Sequence, residues 1–322
     1  MINQPPAGAV DSAIVVHGLG KSFGTHRALD HVDLTVARGT VCGVLGPNGA
    51  GKTTLVRMLT TLLRPDSGTA RILGRDLVRD APAIRALISL TGQYASVDDD
   101  LTAVENLDIF GRLLGLRGAA SRSRARDLVE EYGLTAAASR PVRTYSGGMR
   151  RRLDLAASMI RRPELLFLDE PTTGLDPRTR YQLWEMVRGV VRQGTTVLLT
   201  TQYLDEADAL ADHLVVIDHG RVVADGTPES LKRSVGNYAL SVTLATAADR
   251  GRATEIIALV LDGPVEYDER TRQLTVSVSA SATSAQVIAA LAEESIEVQE
   301  LSVHKPSLDD VFFALTEEQS PA

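Results

Sequence analysis

The apolar positions of this chain fall in short runs separated by turn residues. Thr40-Val41-Cys42-Gly43-Val44-Leu45, Leu165-Leu166-Phe167-Leu168, Thr196-Val197-Leu198-Leu199-Thr200 and Leu214-Val215-Val216-Ile217 are nearly continuous apolar or β-branched blocks. Blocks of that kind are strands buried on both faces, as in a parallel sheet. Helical spacing at 178–192 and 205–211 separates the last three, so crossover helices are predicted between parallel strands. Ahead of them, Ala13-Ile14-Val15-Val16, the alternating stretch Ala28–Val36 and Thr69–Leu73 predict further strands, with turns at Lys21-Ser22-Phe23-Gly24 and Pro65-Asp66-Ser67-Gly68. A short helix is predicted over 81–87, then a strand at Ile88–Gln93 running into a loop. Residues 102–162 have helical spacing throughout, with Leu107, Phe110, Leu113 and Leu114 on one stripe and Leu128 and Val129 on another. They form a helical insertion between strand-rich blocks.

The texture changes after Gly236. Strand Tyr238–Ala245, helix Arg250–Asp262, strands Val265–Asp268 and Gln273–Ser279, helix Ser284–Glu294 and strand Glu297–Val303 follow in order, before a short helix at Leu308–Leu315. The order β-α-β-β-α-β is that of a ferredoxin-like unit. The expected organisation is a loose tail over 1–12, an α/β domain over 13–236 and a small α+β domain over 237–322. The last has no chemical motif of its own and reads as regulatory or dimerising.

Composition adds limits. The chain has 322 residues, 44% hydrophobic and 23% charged, enough for two cores. Its net charge of −7 provides no global field for nucleic acid. The single cysteine, Cys42, excludes an intrachain disulfide. The N-terminus lacks a secretory signal pattern, and no run reaches the roughly 20 apolar residues that span a bilayer.

Chemistry begins where the first parallel strand ends. Gly46-Pro47-Asn48-Gly49-Ala50-Gly51-Lys52-Thr53-Thr54 fits the phosphate-loop pattern, with a strand before it and a helix after it. Glycines let the backbone curl around a phosphate, the loop N–H groups make an anion nest, and the helix N-terminus adds its positive end. Lys52 is placed to bridge the terminal phosphates, and the Thr53 hydroxyl to bind Mg2+. The strand 165–168 delivers Asp169 and Glu170 to the same edge of the sheet. Asp169 suits the Mg2+ shell and Glu170 the polarisation of an attacking water. Tyr145-Ser146-Gly147-Gly148-Met149-Arg150 opens a helix with Ser146 as its N-cap, either a second anion cradle or an ordinary capped helix.

The phosphate loop, Ser-Gly-Gly and apolar-Asp-Glu together resemble the ATP-binding cassette (ABC) family over residues 13–232. Pro171-Thr172-Thr173-Gly174-Leu175-Asp176-Pro177 resembles its D-loop, which implies that Asp176 belongs to the nucleotide site. Gln93 resembles the Q-loop glutamine, implying a part in Mg2+ binding and catalysis. Phe23 stands where the family places an adenine-stacking aromatic, though a core role for Phe23 is open. A narrower resemblance, to daunorubicin/doxorubicin-type drug-resistance ATP-binding proteins, rests on 145–156, Thr200-Thr201-Gln202-Tyr203-Leu204-Asp205-Glu206-Ala207-Asp208 and 308–316. It implies an ATPase that drives export through a separate membrane permease, held at the cytoplasmic face of the membrane.

Two positions depart from the family. The signature reads Tyr-Ser-Gly-Gly-Met, which keeps the phosphate-contacting serine and glycines. Gln202 occupies the place of the switch histidine; its amide can donate to a γ-phosphate but carries no proton charge. One chain holds one set of motifs, so a second copy, arranged head to tail, is expected to complete each ATP site. The competing expectations are a soluble cassette acting on nucleic acid or ribosomes, supported only by arginines near the signature, and a low-activity regulatory cassette, supported only by Gln202.

Overall fold

The computed structural model describes residues 12–92, 97–235, 238–261, 263–278, 283–304 and 307–317. By its internal contacts the chain divides into Met1–Pro228 and Glu229–Ala322. The division falls ahead of the change in sequence texture at Gly236.

The first unit runs β1 (Ser12–Phe23), β2 (His26–Ala37), β3 (Val41–Leu45), α1 (Lys52–Leu59), β4 (Ser67–Ile72), β5 (Arg75–Asp76), α2 (Ala81–Arg85), β6 (Ile88–Thr91), α3 (Ala103–Leu113), α4 (Gly118–Glu131), α5 (Gly147–Ser158), β7 (Leu165–Asp169), α6 (Pro177–Arg192), β8 (Thr196–Thr201), α7 (Leu204–Leu210), β9 (His213–Asp218) and β10 (Arg221–Gly226). Its main sheet has the order β10-β9-β3-β8-β7-β6. All neighbours in it are parallel except the β9–β10 hairpin. A second sheet, β2-β1-β4-β5, is antiparallel. β3, β7 and β8 are buried at every position, which accounts for their uninterrupted apolar sequences.

Two apolar cores flank the main sheet. Ile14, Leu29, Leu55, Met58 and Phe167 belong to the one shared by α1 and the antiparallel sheet. Leu107, Leu128, Leu153, Trp184 and Leu199 belong to the other, which carries the helical insertion. Burial pushes the Cys42 thiol up to about 12, so it behaves as a small hydrophobe.

The insertion is less regular than its spacing predicts. Helix α3 has a full capping box, in which Glu105 N–H donates to Thr102 Oγ1 at 3.3 Å and Thr102 N–H to Glu105 Oε2 at 2.8 Å. Helix α4 ends before Gly133, whose φ is +64°. Only short 3-10 turns, Thr135–Ala137 and Val142–Thr144, lie between it and α5, with Pro141 at the head of the second. β10 was not expected. The turn Asp218-His219-Gly220-Arg221 has positive φ at both central residues (43° and 78°), the geometry that folds a strand back on its neighbour.

The second unit contains α8 (Pro228–Val235) from its second residue on, β11 (Tyr238–Leu244), α9 (Arg250–Leu261), β12 (Val265–Asp268), β13 (Gln273–Val278), α10 (Thr283–Glu293), β14 (Val298–His304) and α11 (Leu308–Glu317). Its sheet order is β12-β13-β11-β14, antiparallel throughout. Leu240, Val242, Leu274 and Val276 pack with Ala253 and Ile257 of α9 and Val287 and Leu291 of α10 in its own core. This is the ferredoxin-like arrangement that the element order implied.

A candidate nucleotide site at the ends of the parallel strands

Parallel pairing brings three strand ends together. Leu45 lies opposite Thr201, and Asp169 opposite Thr200. Beyond Leu45 the chain turns through 46–51 into α1. Gly51 has φ +108°, and a Cβ there would stand 2.5 Å from the Ala28 carbonyl oxygen. At Gly46 a Cβ would stand 2.2 Å from the Ile217 carbonyl oxygen. Both positions therefore exclude side chains on geometry alone.

Lys52 is buried, with 4% of its surface exposed, and its Nζ donates to the carbonyls of Gly46 at 2.8 Å and Pro47 at 3.0 Å. The same Nζ lies 3.3 Å from Glu170 Oε1. Glu170 is fixed from several sides. Its N–H donates to both the carbonyl and the Oγ1 of Thr200, each at 3.1 Å, and Thr173 Oγ1 lies 3.5 Å from its Oε2. Its φ of +49° is strained for a non-glycine residue, a cost of about 1–3 kcal/mol that the surrounding bonds must offset.

Asp169 Oδ1 accepts from Thr200 Oγ1 at 2.6 Å and lies 3.3 Å from Thr53 Oγ1. Thr53 and Asp169 thus present converging hard oxygens beside the phosphate loop. That donor set fits Mg2+, which takes few protein ligands and completes its shell with water and phosphate oxygens. No cluster of three or more His, Cys, Asp or Glu suited to a metal occurs among the described residues.

A cleft of about 320 Å³ opens over these groups, lined by Phe23, His26, Ala28, Asn48, Gly49, Gly51, Lys52, Thr53, Thr54 and Glu170. Phe23 is half exposed rather than part of the core, and Lys21 Nζ lies 5.7 Å from its ring centroid. Gly46, Pro47, Ala50, Ser146, Gly147, Gly148, Asp169, Asp176 and Gln202 are not among the described residues that line the cleft. Ser146 caps α5 by accepting from Met149 N–H at 3.3 Å. Asp176 caps α6, accepting from Thr179 Oγ1 at 2.6 Å and Thr179 N–H at 3.0 Å; the hydroxyl bond first, then the backbone bond, holds its carboxyl below the usual range. Gln202 follows β8 in a bend and is half-buried. Gln93 lies outside the described residues.

The sequence comparisons coincide with this geometry. The ABC transporter family pattern matches residues 29–173, and that of the ATP-binding protein DrrA1-3-like C-terminal domain matches residues 226–316. The chain is 52% identical to the daunorubicin resistance ATP-binding protein DrrA2 of Streptomyces coeruleorubidus over 94% of this chain and 95% of that one. It is 50% identical to the daunorubicin/doxorubicin resistance ATP-binding protein DrrA of Streptomyces peucetius over 98% and 94%. The chain belongs to the ABC transporter ATP-binding family.

It falls in the drug-resistance branch of that family, and its cassette binds and hydrolyses ATP. A solved ATP-binding subunit of an ABC transporter matches 69% of this chain and 92% of its own with a TM-score of 0.61 and 28% identity. That span is the ABC cassette, and the DrrA-like domain supplies the second unit. Thr200, bonded to both Asp169 and Glu170, is one residue of this arrangement that sequence reasoning missed. It holds both acids, and the only signal for it was a hydroxyl at the end of the strand that pairs with β7. His26 in the cleft was missed too, because a lone histidine at the start of a strand carries no motif.

Phe23→Ala is expected to weaken ATP binding about tenfold, or about 1.4 kcal/mol, by removing the stacking surface, while Phe23→Tyr retains it. Calorimetric titration with ATP checks this. An unchanged Kd for the alanine variant would place the adenine elsewhere.

Proposed function

We propose that the chain is the peripheral ATPase of an exporter, powering efflux of hydrophobic drug-like or antibiotic compounds through a separate integral membrane permease. Its nucleotide sites form between two copies arranged head to tail. The observation that carries this reading is the incomplete lining of the cleft. It contains Asn48, Gly49, Gly51, Lys52, Thr53 and Thr54 of the phosphate loop, with Phe23 and Glu170, but none of Ser146, Gly147 and Gly148. A Ser-Gly-Gly helix start from a second copy supplies the missing donors to the γ-phosphate. The near full-length likeness to resistance proteins supports the export role.

In this reading Lys52 and the loop N–H groups bind the phosphates, Phe23 stacks on adenine, and Thr53, Asp169 and Gln93 hold Mg2+, whose chemistry is to neutralise phosphate charge. Glu170 accepts a proton from the attacking water. Gln202 donates its amide to the γ-phosphate, and Asp176 sets the start of the loop-to-helix turn that faces the neighbouring copy. ATP bridges the two copies; loss of the γ-phosphate removes the bridge and lets them part.

No described helix is long and apolar enough to cross a membrane. A groove lined by Leu90, Val97, Phe110, Leu113 and Leu114 beside the insertion is the proposed seat of the permease. The test is to isolate the membrane protein that co-purifies with the chain, co-express the two, and follow cellular doxorubicin. Native chain is expected to lower accumulation relative to Glu170→Gln. Equal accumulation, with both chains bound to the permease, would overturn the proposed substrate class.

A further inference from the structure

Glu206 is a buried acid that the steps above do not use. It lies on α7, four residues beyond Gln202, and no part of it is exposed. Its Oε1 accepts from Trp184 Nε1 of α6 at 3.2 Å. The hydroxyls of Thr201 and Thr172 are its other polar neighbours, both close enough to favour its ionised form. Yet Glu206 Oε2 and Thr172 Oγ1 are both buried without a partner at full hydrogen-bond geometry. Burial is the largest influence on the carboxyl and pushes it up, with the charge of Asp205 adding in the same direction. Thr172 and Thr201 are themselves buried, so the group is shut off from bulk solvent.

Each neighbour belongs to a segment that carries part of the ATP site. Thr172 is two residues past Glu170, in the loop that ends at Asp176. Thr201 precedes Gln202; its carbonyl accepts from Gly46 N–H at 3.3 Å and its Oγ1 from Tyr203 N–H at 2.9 Å. Trp184 lies on the helix that Asp176 caps. A polar group in so dry a place costs stability unless its bonds are made, so its presence here calls for a role beyond filling space.

We propose that Glu206 is a positioning residue, whose buried carboxyl, through Trp184, ties α7 and the Gln202 turn before it to α6, the helix that Asp176 caps at the end of the Glu170–Asp176 loop, so that both are aligned when the γ-phosphate is cleaved. In the reading above nucleotide is gripped by the phosphate loop and Phe23, which line the cleft, whereas Glu206 is not among its lining residues. Loss of the tie therefore affects hydrolysis more than binding.

The inference rests on the site roles proposed above, and Glu170→Gln serves as the control that separates the two. The full chain is compared as Glu206→Gln, which keeps an acceptor for Trp184 and a polar second arm, and as Glu206→Leu, which fills similar volume without polar atoms. The glutamine variant should keep kcat within about threefold of native, and the leucine variant should lose about tenfold or more with KM for ATP within about twofold. Native kcat in the leucine variant, equal losses in both, or a raised KM at constant kcat would each overturn the proposal. Trp184→Phe, which removes only the Nε1 donor, covers a leucine variant that fails to fold. It should lower kcat about threefold at constant KM, and native kcat there overturns the proposal. If Glu170→Gln itself turns over normally, the site assignment fails. If it is silent while Glu206→Leu is normal, only the positioning role fails.

Discussion

Glu170→Gln is expected to lower ATP turnover about 100-fold or more while ATP still binds, because an amide of the same shape cannot take a proton from water. The isosteric change leaves the rest of the site in place. A glutamine Oε1 can still accept from Lys52 Nζ, which lies 3.3 Å from the native carboxylate. The two bonds from its N–H to Thr200 do not involve the side chain at all. Binding without cleavage should also leave the bridge between copies intact. The variant is expected to elute as a dimer in ATP and as a monomer without it. Phosphate release and size-exclusion chromatography read the two effects separately. Turnover above about a tenth of native would remove Glu170 from the role of base.

Lys52→Ala should act on the other side of the cycle, weakening ATP binding about 100-fold through the loss of charge-assisted bonds worth about 1.5–3 kcal/mol each. Arginine is expected to be no substitute. Lys52 is only 4% exposed and its ammonium fits between the Gly46 and Pro47 carbonyls, a space that suits a compact point charge rather than a planar fork. The alanine variant also leaves the Glu170 carboxylate without its cation in a buried setting, so its melting temperature should fall in the absence of nucleotide. A Kd within about threefold of native would show that the loop N–H groups alone carry the affinity.

Much of this arrangement is legible in the chain itself. β3, β7 and β8 are buried on both faces, and their sequences are apolar without a break. The C-terminal strands alternate, with Leu240, Val242 and Leu244 on the face that joins the apolar core. What stayed hidden depends on partners distant in sequence. β10 is a half-exposed edge strand with a mixed sequence, and it is defined by the turn before it rather than by its own pattern. The insertion keeps helical spacing through 132–146, yet Gly133 and Pro141 interrupt the backbone there. Thr200 matters only because parallel register sets it opposite Asp169. Glu206 reads as one more acid on a polar helix until packing closes over it.

The solitary thiol at Cys42 has a practical corollary. It is sealed within the main sheet and pushed up to about 12, so the folded wild-type molecule offers maleimide chemistry no handle. Spectroscopic labels can therefore be introduced one at a time on the outside of either lobe without first stripping the natural residue. Distances between paired copies would then be measured on a scaffold whose interior is untouched.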